Sequence, residues 1–241
     1  MPMSPNRTIR RDAPSNIRAM FDSIAPTYDR LNHLLSFGMD IRWRRKAVAL
    51  LAEKKQGVFL DIAAGSGDSS LELLSLQPEQ VIGSDFALSM LNVFDDKLKK
   101  TGKRGVIGLI SCDAHELPFG DASFDGTMVA FGIRNFADRL LTLKEMHRVL
   151  KPTGIAVILE LSTPTNPFAL QLYRLYAQLF LPLIGKIISR HHSAYRYLPE
   201  SIAQFPDPVE FLQLLRTAGF GETDSRSLSF GAATIYRGRK K

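Results

Sequence analysis

Hydrophobic and polar positions along the chain fall into three successive patterns. From about Ser15 to Ala52, apolar residues recur at helical spacing in short stretches. Asp40 stands where an N-cap would start a helix carrying Trp43, Ala47, Val48 and Leu51, with a basic face of Arg42, Arg44, Arg45 and Lys46. From Gly57 to about Ser162, apolar runs alternate with helical ones. Val58–Ile62, Gln80–Ser84, Val106–Ser111, Phe124–Val129 and Ile155–Leu159 predict strands; Ser69–Leu76, Ala87–Lys99 and Asp138–Leu150 predict helices. Continuous apolar strands separated by helices indicate a parallel sheet covered on both faces.

The third pattern opens at Pro164–Pro167 with a long apolar helical stretch, Phe168–Ile188. A short helix follows, with Asp207 as N-cap, Pro208 at the first position and Gly219 as the stop. Two late strands, about Glu222–Ser229 and Ala232–Arg237, turn at Phe230-Gly231, and so short a connection makes them antiparallel neighbours. The expected fold is α/β, a doubly wound, mostly parallel seven-stranded sheet with an antiparallel C-terminal hairpin. One domain, 1–241, would comprise a helical N-terminal cap (1–56), a ligand-binding core (57–162), a lid insertion (163–206) and a C-terminal helix and hairpin (207–241).

Composition adds little to this picture. The 241 residues, 45% hydrophobic and 23% charged, suit a globular domain with a substantial core. Cys112 is the single cysteine, which excludes an intramolecular disulfide and fits a reducing compartment. Met1–Pro14 is polar and basic with no apolar core, so a secretory signal is not expected. The net charge of +7 lies partly at the ends, in Arg7, Arg10 and Arg11 and in Arg237, Arg239, Lys240 and Lys241. Such charge suits an anionic membrane surface, and solvated tails account for it as well. Without an aromatic-interleaved basic patch, a nucleic-acid partner is not expected.

Chemistry enters where the first strand meets a glycine loop, Val58-Phe59-Leu60-Asp61-Ile62-Ala63-Ala64-Gly65-Ser66-Gly67-Asp68. Small residues let backbone approach a ligand, and the next helix offers free N–H groups. A dinucleotide fingerprint would want glycine at position 70, which is Ser70. Asp61, just ahead of the loop, favours a ligand bearing an amine over one bearing a pyrophosphate. Asp85 ends the second strand, 20 positions after Gly65, where a carboxylate can take both hydroxyls of a ribose. Asp113, followed by Ala114, ends the third, where it can accept from an adenine amino group. Helix capping would account for any one of these acids better than for all three at successive strand ends.

The segment Leu60–Asp68, with Asp85 and Asp113, resembles the cofactor pattern of class I S-adenosylmethionine-dependent methyltransferases. The resemblance implies that Gly65, Ser66 and Gly67 line the methionine portion, Asp85 holds the ribose, and Asp113 and Ala114 meet the adenine. Met90 packs near the adenine or in the core. Tyr28-Asp29-Arg30-Leu31-Asn32-His33-Leu34-Leu35-Ser36 with Trp43, and Arg148-Val149-Leu150-Lys151-Pro152-Thr153-Gly154 running on to Glu160-Leu161-Ser162, resemble the two signatures of the demethylmenaquinone/ubiquinone C-methyltransferase family. Phe131-Gly132-Ile133-Arg134-Asn135 and Tyr195-Arg196-Tyr197-Leu198-Pro199 match further blocks. The likeness runs from about Met20 to Arg237. Leu31, Asp40, Ala64, Ser66 and Thr153 depart from the usual methionine, histidine, glycine, threonine and glycine, and none removes a reacting group.

This resemblance implies methylation of a ring carbon in a prenylated quinol, with demethylmenaquinol as the expected substrate. Ubiquinone, phylloquinone and tocopherol precursors are alternatives. A non-catalytic cofactor-binding or RNA-associated module is the alternative of another class. Arg134 and Asn135 follow the fourth strand at the sheet edge where α/β ligands bind, placing Arg134 to stabilise a phenolate or orient a water. Its high pKa makes it a poor base, and a structural ion pair is its other reading. Tyr28 and Asp29 would close over the cofactor, serving in proton transfer or capping a helix. His33, His191, His192 and Tyr195 are further base candidates. No Cys/His cluster has metal-ligand spacing, and the reaction needs no metal. Tyr173, Tyr176 and Tyr195 are expected against the substrate, with Phe168–Ile188 a buried lid or an apolar entrance for the tail. A cytoplasmic enzyme, peripheral on the inner face of the membrane and homodimeric, completes the expectation.

Overall fold

The computed structural model describes residues 22, 25, 28–176 and 192–241, without the side chains of 192–196. Seven strands lie in the order β3-β2-β1-β4-β5-β7-β6. They are β1 (Val58–Ile62), β2 (Gln80–Asp85), β3 (Ile107–Ser111), β4 (Phe124–Ala130), β5 (Leu150–Leu161), β6 (Glu222–Leu228) and β7 (Ala233–Arg239). The first five are mutually parallel, whereas β7 runs antiparallel between β5 and β6. Fold class and hairpin are as the periodicity predicts.

Side-chain alternation splits the core. Phe59 of β1 and Val157 of β5 join one face, where Trp43 and Ala47 of α2 (Met39–Ala49), Leu73 of α3 (Asp68–Leu73) and Phe94 of α4 (Leu88–Thr101) cover the sheet. Leu60 and Ile158 join the other, under Leu143 and Met146 of α5 (Arg139–Val149) and Phe211 and Leu215 of α8 (Pro208–Thr217). Three further helices complete the described chain: α1 (Tyr28–Leu35), α6 (Pro167–Leu175) and α7 (His192–Ala203).

Three expectations are corrected. Asp40 does not cap α2; Gly38, in the left-handed region at φ 70°, precedes it, and Asp40 is buried one residue inside the helix. There Asp40 accepts from the Ser36 hydroxyl at 2.6 Å and pairs with Arg44 and His33. Burial alone would raise its pKa, but the Ser36 bond and the Arg44 charge hold it below the usual value. Strand β5 begins at Leu150, well before Ile155, because Lys151-Pro152-Thr153-Gly154 forms a bulge that shifts the register against β4 between Phe124 and Gly126. The first core helix, expected over Ser69–Leu76, ends at Leu73 and finishes in a 3₁₀ turn, Leu74–Leu76.

Other signals act where the sequence placed them. Asp207 caps α8 through a capping box with Glu210, Pro208 opens it, and Gly219 (φ 108°) follows its end. Asn166 caps α6 by accepting from Phe168 and Ala169 N–H groups. The helical reading onward to Ile188 passes outside the described residues after Tyr176, as do Arg7, Arg10, Arg11 and His191.

Candidate active site

From β1 the chain crosses toward β2 and β3, and from β4 toward β5, so the connections part between the neighbours β1 and β4. A crevice at the carboxyl ends of such a pair is the ligand position of open α/β sheets. A cavity of about 260 Å³ occupies it, lined by Ala63, Gly65, Asp85, Met90, Cys112, Asp113 and Ala114, among others.

The glycine loop is shaped by close contacts. Gly67 (φ 90°) precedes α3, and a Cβ there would lie 2.1 Å from the buried Phe94 ring. Gly65 (φ 57°) leaves room for Met90, whose methyl would be 3.3 Å from an added Cβ. The Gly65 N–H donates to Asp85 Oδ2 and the Ala87 N–H to Asp85 Oδ1, both at 2.8 Å. Burial raises the Asp85 pKa against the pull of these donors. Asp113 Oδ1 accepts from the His115 N–H at 2.9 Å and sits 2.6 Å from His115 Nδ1, while His115 Nε2 accepts from the Asp138 N–H at 3.2 Å. That pattern assigns the Nδ1–H tautomer to His115.

Asp61 lies behind the loop and is 1% exposed. Its Oδ2 accepts from the Ser70 hydroxyl at 2.6 Å, and its Oδ1 is buried with no partner. Burial raises its pKa to about 7, against the Ser70 bond and the Arg44 charge. Ser66 and Gly67 are not among the cavity-lining residues, and the Ser66 hydroxyl donates to Asp29. Asp29 also meets Lys97 Nζ at 2.6 Å, and Lys97 meets Asp68 at 2.8 Å, so this ion cluster ties α1 to the loop and to α4. Asp29 lines neither cavity.

A second cavity, of about 310 Å³, lies beside the first and shares Tyr28 and Phe131 with it. Trp43, Leu161, Leu172, Tyr173, Tyr176, Leu198 and Ile202 make most of it apolar, and Arg134 supplies a cation. Arg134 and Glu160 form a buried pair: Nη1 donates to Oε1 at 2.8 Å, and the Arg134 backbone N–H donates to Oε2 at 3.1 Å. Nη1 also donates to the Phe131 carbonyl. Arg134 Nε is buried with no partner. The structural pair and a wall position thus belong to one side chain.

Tyr28 hydrogen-bonds Asn32, and burial raises its hydroxyl pKa despite the Arg134 charge. Burial likewise raises Tyr173 and Tyr176, and the Tyr176 hydroxyl pins α6 by donating to the Leu35 carbonyl at 2.8 Å. Asn135 lines the first cavity, and its Oδ1 accepts from the Tyr197 hydroxyl at 2.8 Å. The side chains of His192 and Tyr195 are outside the described ones. His33 lines neither cavity; it pairs with Asp40 and lies 3.7 Å from Asp68. Those three residues bring ligand atoms within 4.8 Å of one another, a grouping in which Arg44 already neutralises Asp40.

Sequence reasoning gave no role to Glu160, Tyr197, Phe131 or His115. Phe131 and Tyr197 lay in blocks matching the family, and Glu160 showed as an acid ending the apolar run Ile155–Leu159; His115 gave no signal.

Comparison with known proteins bears on this geometry. The model of the ubiE/COQ5 methyltransferase family matches residues 9–240. A demethylmenaquinone methyltransferase of Bacteroides fragilis is 43% identical over 225 residues, covering 93% of this chain and 92% of that protein. A ubiquinone/menaquinone biosynthesis C-methyltransferase of Geobacter sulfurreducens is 45% identical over 226 residues, covering 93% and 88%. Among solved structures, a SAM-dependent methyltransferase of Thermotoga maritima superposes with TM-score 0.65 at 21% identity, covering 92% of this chain and 99% of that one. Another, from Aquifex aeolicus, gives 0.60 at 18% identity, covering 94% and 98%. At these identities the structural likeness speaks for the fold alone.

Proposed function

The chain belongs to the ubiE/COQ5 methyltransferase family, and from that premise we propose that it methylates a ring carbon of demethylmenaquinol, giving menaquinol and S-adenosylhomocysteine. It is a SAM-dependent methyltransferase, and the substrate reading follows relatives that carry that activity in their names. The observation that carries the site assignment is the buried Arg134, with an unpartnered Nε–H, on the wall of an apolar cavity that touches the cofactor cavity.

The residues of the first cavity fit the cofactor. Asp85, anchored by the backbone N–H groups of Gly65, Phe86 and Ala87, lines the cavity where its carboxylate can accept from ribose hydroxyls. Asp61 lies behind the loop and is not among the cavity-lining residues; its orphaned, buried Oδ1 is the complement of an ammonium group brought up to the loop. Met90 and Ala114 offer apolar contact to adenine, with the Asp113 carboxylate beside them. When bound, SAM supplies an electrophilic sulfonium methyl.

The second cavity takes the quinol. Its ring carbon needs electron density, which a phenolate ortho to it provides. The Arg134–Glu160 pair is neutral as a unit, so a neutral quinol enters without facing an unpaired charge. As the hydroxyl gives up its proton to solvent, the preorganised Nε–H donor and the guanidinium charge stabilise the oxygen. Once the methyl is attached, the ring carbon gives up its own proton and the oxygen regains one, so that one proton is released overall. Tyr28 and Phe131, common to both cavities, hold the two ligands at one boundary and keep water from it. Asp29 serves by tethering α1, the helix that carries Tyr28, through Ser66 and Lys97.

Methyl transfer from labelled SAM to short-tailed demethylmenaquinone, with and without dithionite, tests the reading. Labelled menaquinone only under reduction is the expected result. Product only from a ubiquinone, phylloquinone or tocopherol precursor would move the substrate to that ring.

No described helix is long and apolar enough to cross a membrane. The proposal places the enzyme in the cytoplasm, peripheral on the inner face of the membrane. Phe37, Leu172 and Phe230 support it: they line the apolar cavity yet are 64%, 53% and 86% exposed. Absence of liposome flotation at low salt would remove that part. Homodimerisation belongs to the same proposal and is read by sedimentation.

A further inference from the structure

Arg134 and Asn135 are adjacent in a single 3₁₀ turn, Ile133–Asn135, yet they line different cavities. Helix α7 packs against that turn. Two of its residues, Leu198 and Ile202, line the apolar cavity, while the neighbouring Tyr197 donates its hydroxyl to Asn135 Oδ1 at 2.8 Å. One helix therefore touches the substrate cavity directly and the cofactor cavity through a hydrogen bond.

A carboxamide offers an acceptor at one end and two donors at the other, and a terminal sp²–sp³ torsion leaves either end free to face a ligand. With Oδ1 taken by Tyr197, the NH2 group is what Asn135 has left to offer. Its complement is an acceptor on the cofactor, such as a carboxylate or ribose oxygen.

We propose that Tyr197 is a positioning residue: its bond to Asn135 fixes the carboxamide for the cofactor, and its place beside Leu198 and Ile202 on α7 couples filling of the apolar cavity to cofactor affinity. The coupling is reciprocal, since a ligand that strengthens a second ligand is itself strengthened by it. The direct effect on cofactor binding rests only on the cofactor, whereas the coupling rests on the quinol reading above.

The experiment is calorimetric titration of S-adenosylhomocysteine into the wild-type protein, Tyr197→Phe, Asn135→Ala and the double variant. Melting temperature reads folding separately. Loss of one hydrogen bond should weaken Tyr197→Phe by roughly 2–10-fold, with the double variant no weaker than Asn135→Ala alone. Wild-type affinity in Tyr197→Phe, or effects that multiply in the double variant, would overturn the positioning role. Repeating the titrations with saturating short-tailed menaquinone should tighten the wild type and leave Tyr197→Phe unchanged. Equal tightening in both would overturn the coupling. If neither the quinone nor its dithionite-reduced quinol binds the wild type, the quinol reading and the coupling fail together, while the first set of titrations still decides the role of Tyr197.

Discussion

The Gly65 N–H donates to Asp85 Oδ2 at 2.8 Å, joining the loop after β1 to the end of β2. One carboxylate thus shapes the glycine loop and also lines the first cavity, where the proposal sets it against the ribose. Asp85→Asn turns one acceptor oxygen into a donor NH2 and removes the charge that strengthens both bonds. We expect S-adenosylhomocysteine to bind about 10–100-fold more weakly, the equivalent of losing one charged hydrogen bond of about 1.5–3 kcal/mol. Calorimetry checks this, and unchanged affinity would deny Asp85 a part in binding.

If Asp61 receives the ammonium group as proposed, cofactor affinity should depend on pH. With a pKa near 7 in the ligand-free protein, its carboxyl is increasingly protonated below neutrality and meets an ammonium less well. The dissociation constant of S-adenosylhomocysteine should rise as pH falls from 8 to 6, and Asp61→Asn should flatten that dependence. Stability runs the other way. The folded pKa lies above the unfolded value of about 3.9, so the stabilisation from proton uptake is full below about pH 4 and is lost as pH rises through 7. Urea midpoints of the ligand-free protein across that range, with Asp61→Asn as control, measure it.

Breaking the Arg134–Glu160 pair has two separable effects. Glu160→Ala strands a buried guanidinium and should destabilise the fold by about 3–5 kcal/mol, read by urea denaturation. Glu160→Gln keeps the shape and an acceptor but removes the counter-charge. It should raise KM for the quinol, which now meets an unpaired cation, with S-adenosylhomocysteine affinity unchanged.

Gly67→Ala would place a methyl 2.1 Å from the Phe94 ring at a backbone φ of 90°. Overpacking together with the left-handed conformation should cost roughly 2–5 kcal/mol. For a domain of this size that lowers Tm by about 2–4 °C per kcal/mol. A thermal melt with no shift would mean that loop and ring yield without cost.

Lys97→Met leaves Asp29 and Asp68 without their shared cation. The KM for SAM should rise severalfold while kcat at saturation holds, because α1 would close less firmly over the cofactor. Added salt should raise the wild-type KM toward that of the variant as screening weakens the same pair.

What the sequence disclosed and what it hid have different causes. Gly65, Asp85, Asp113 and Ala114 were legible because strand ends in a doubly wound sheet converge on one crevice, so a periodic pattern carries its own map of the site. Asp40 misled because an acid ahead of an amphipathic run suits a cap as well as a buried ion pair, and only Arg44, Ser36 and His33 in space decide between them. Lys151–Gly154 fell between the expected helix and strand because proline and glycine punctuate bulges and turns alike. Tyr197 and Asn135 lie 62 residues apart, and no local pattern announces such a bond. The sequence blocks containing Tyr197 and Asn135 were both conspicuous; the bond between them was not.

The antiparallel placement of β7 bears on how the chain is made. β7 covers the outer edge of β5, yet of the seven described strands it is the last to leave the ribosome. Until it emerges, the apolar run Ile155–Leu159 presents unpaired backbone on one side, the kind of edge that recruits other chains. Synthesis therefore passes through an interval in which the five parallel strands exist and the apolar border at β5 is open. Chaperone demand and inclusion-body formation should track the length of that interval, so slowing translation over 162–232 would raise aggregation even with the finished protein unchanged.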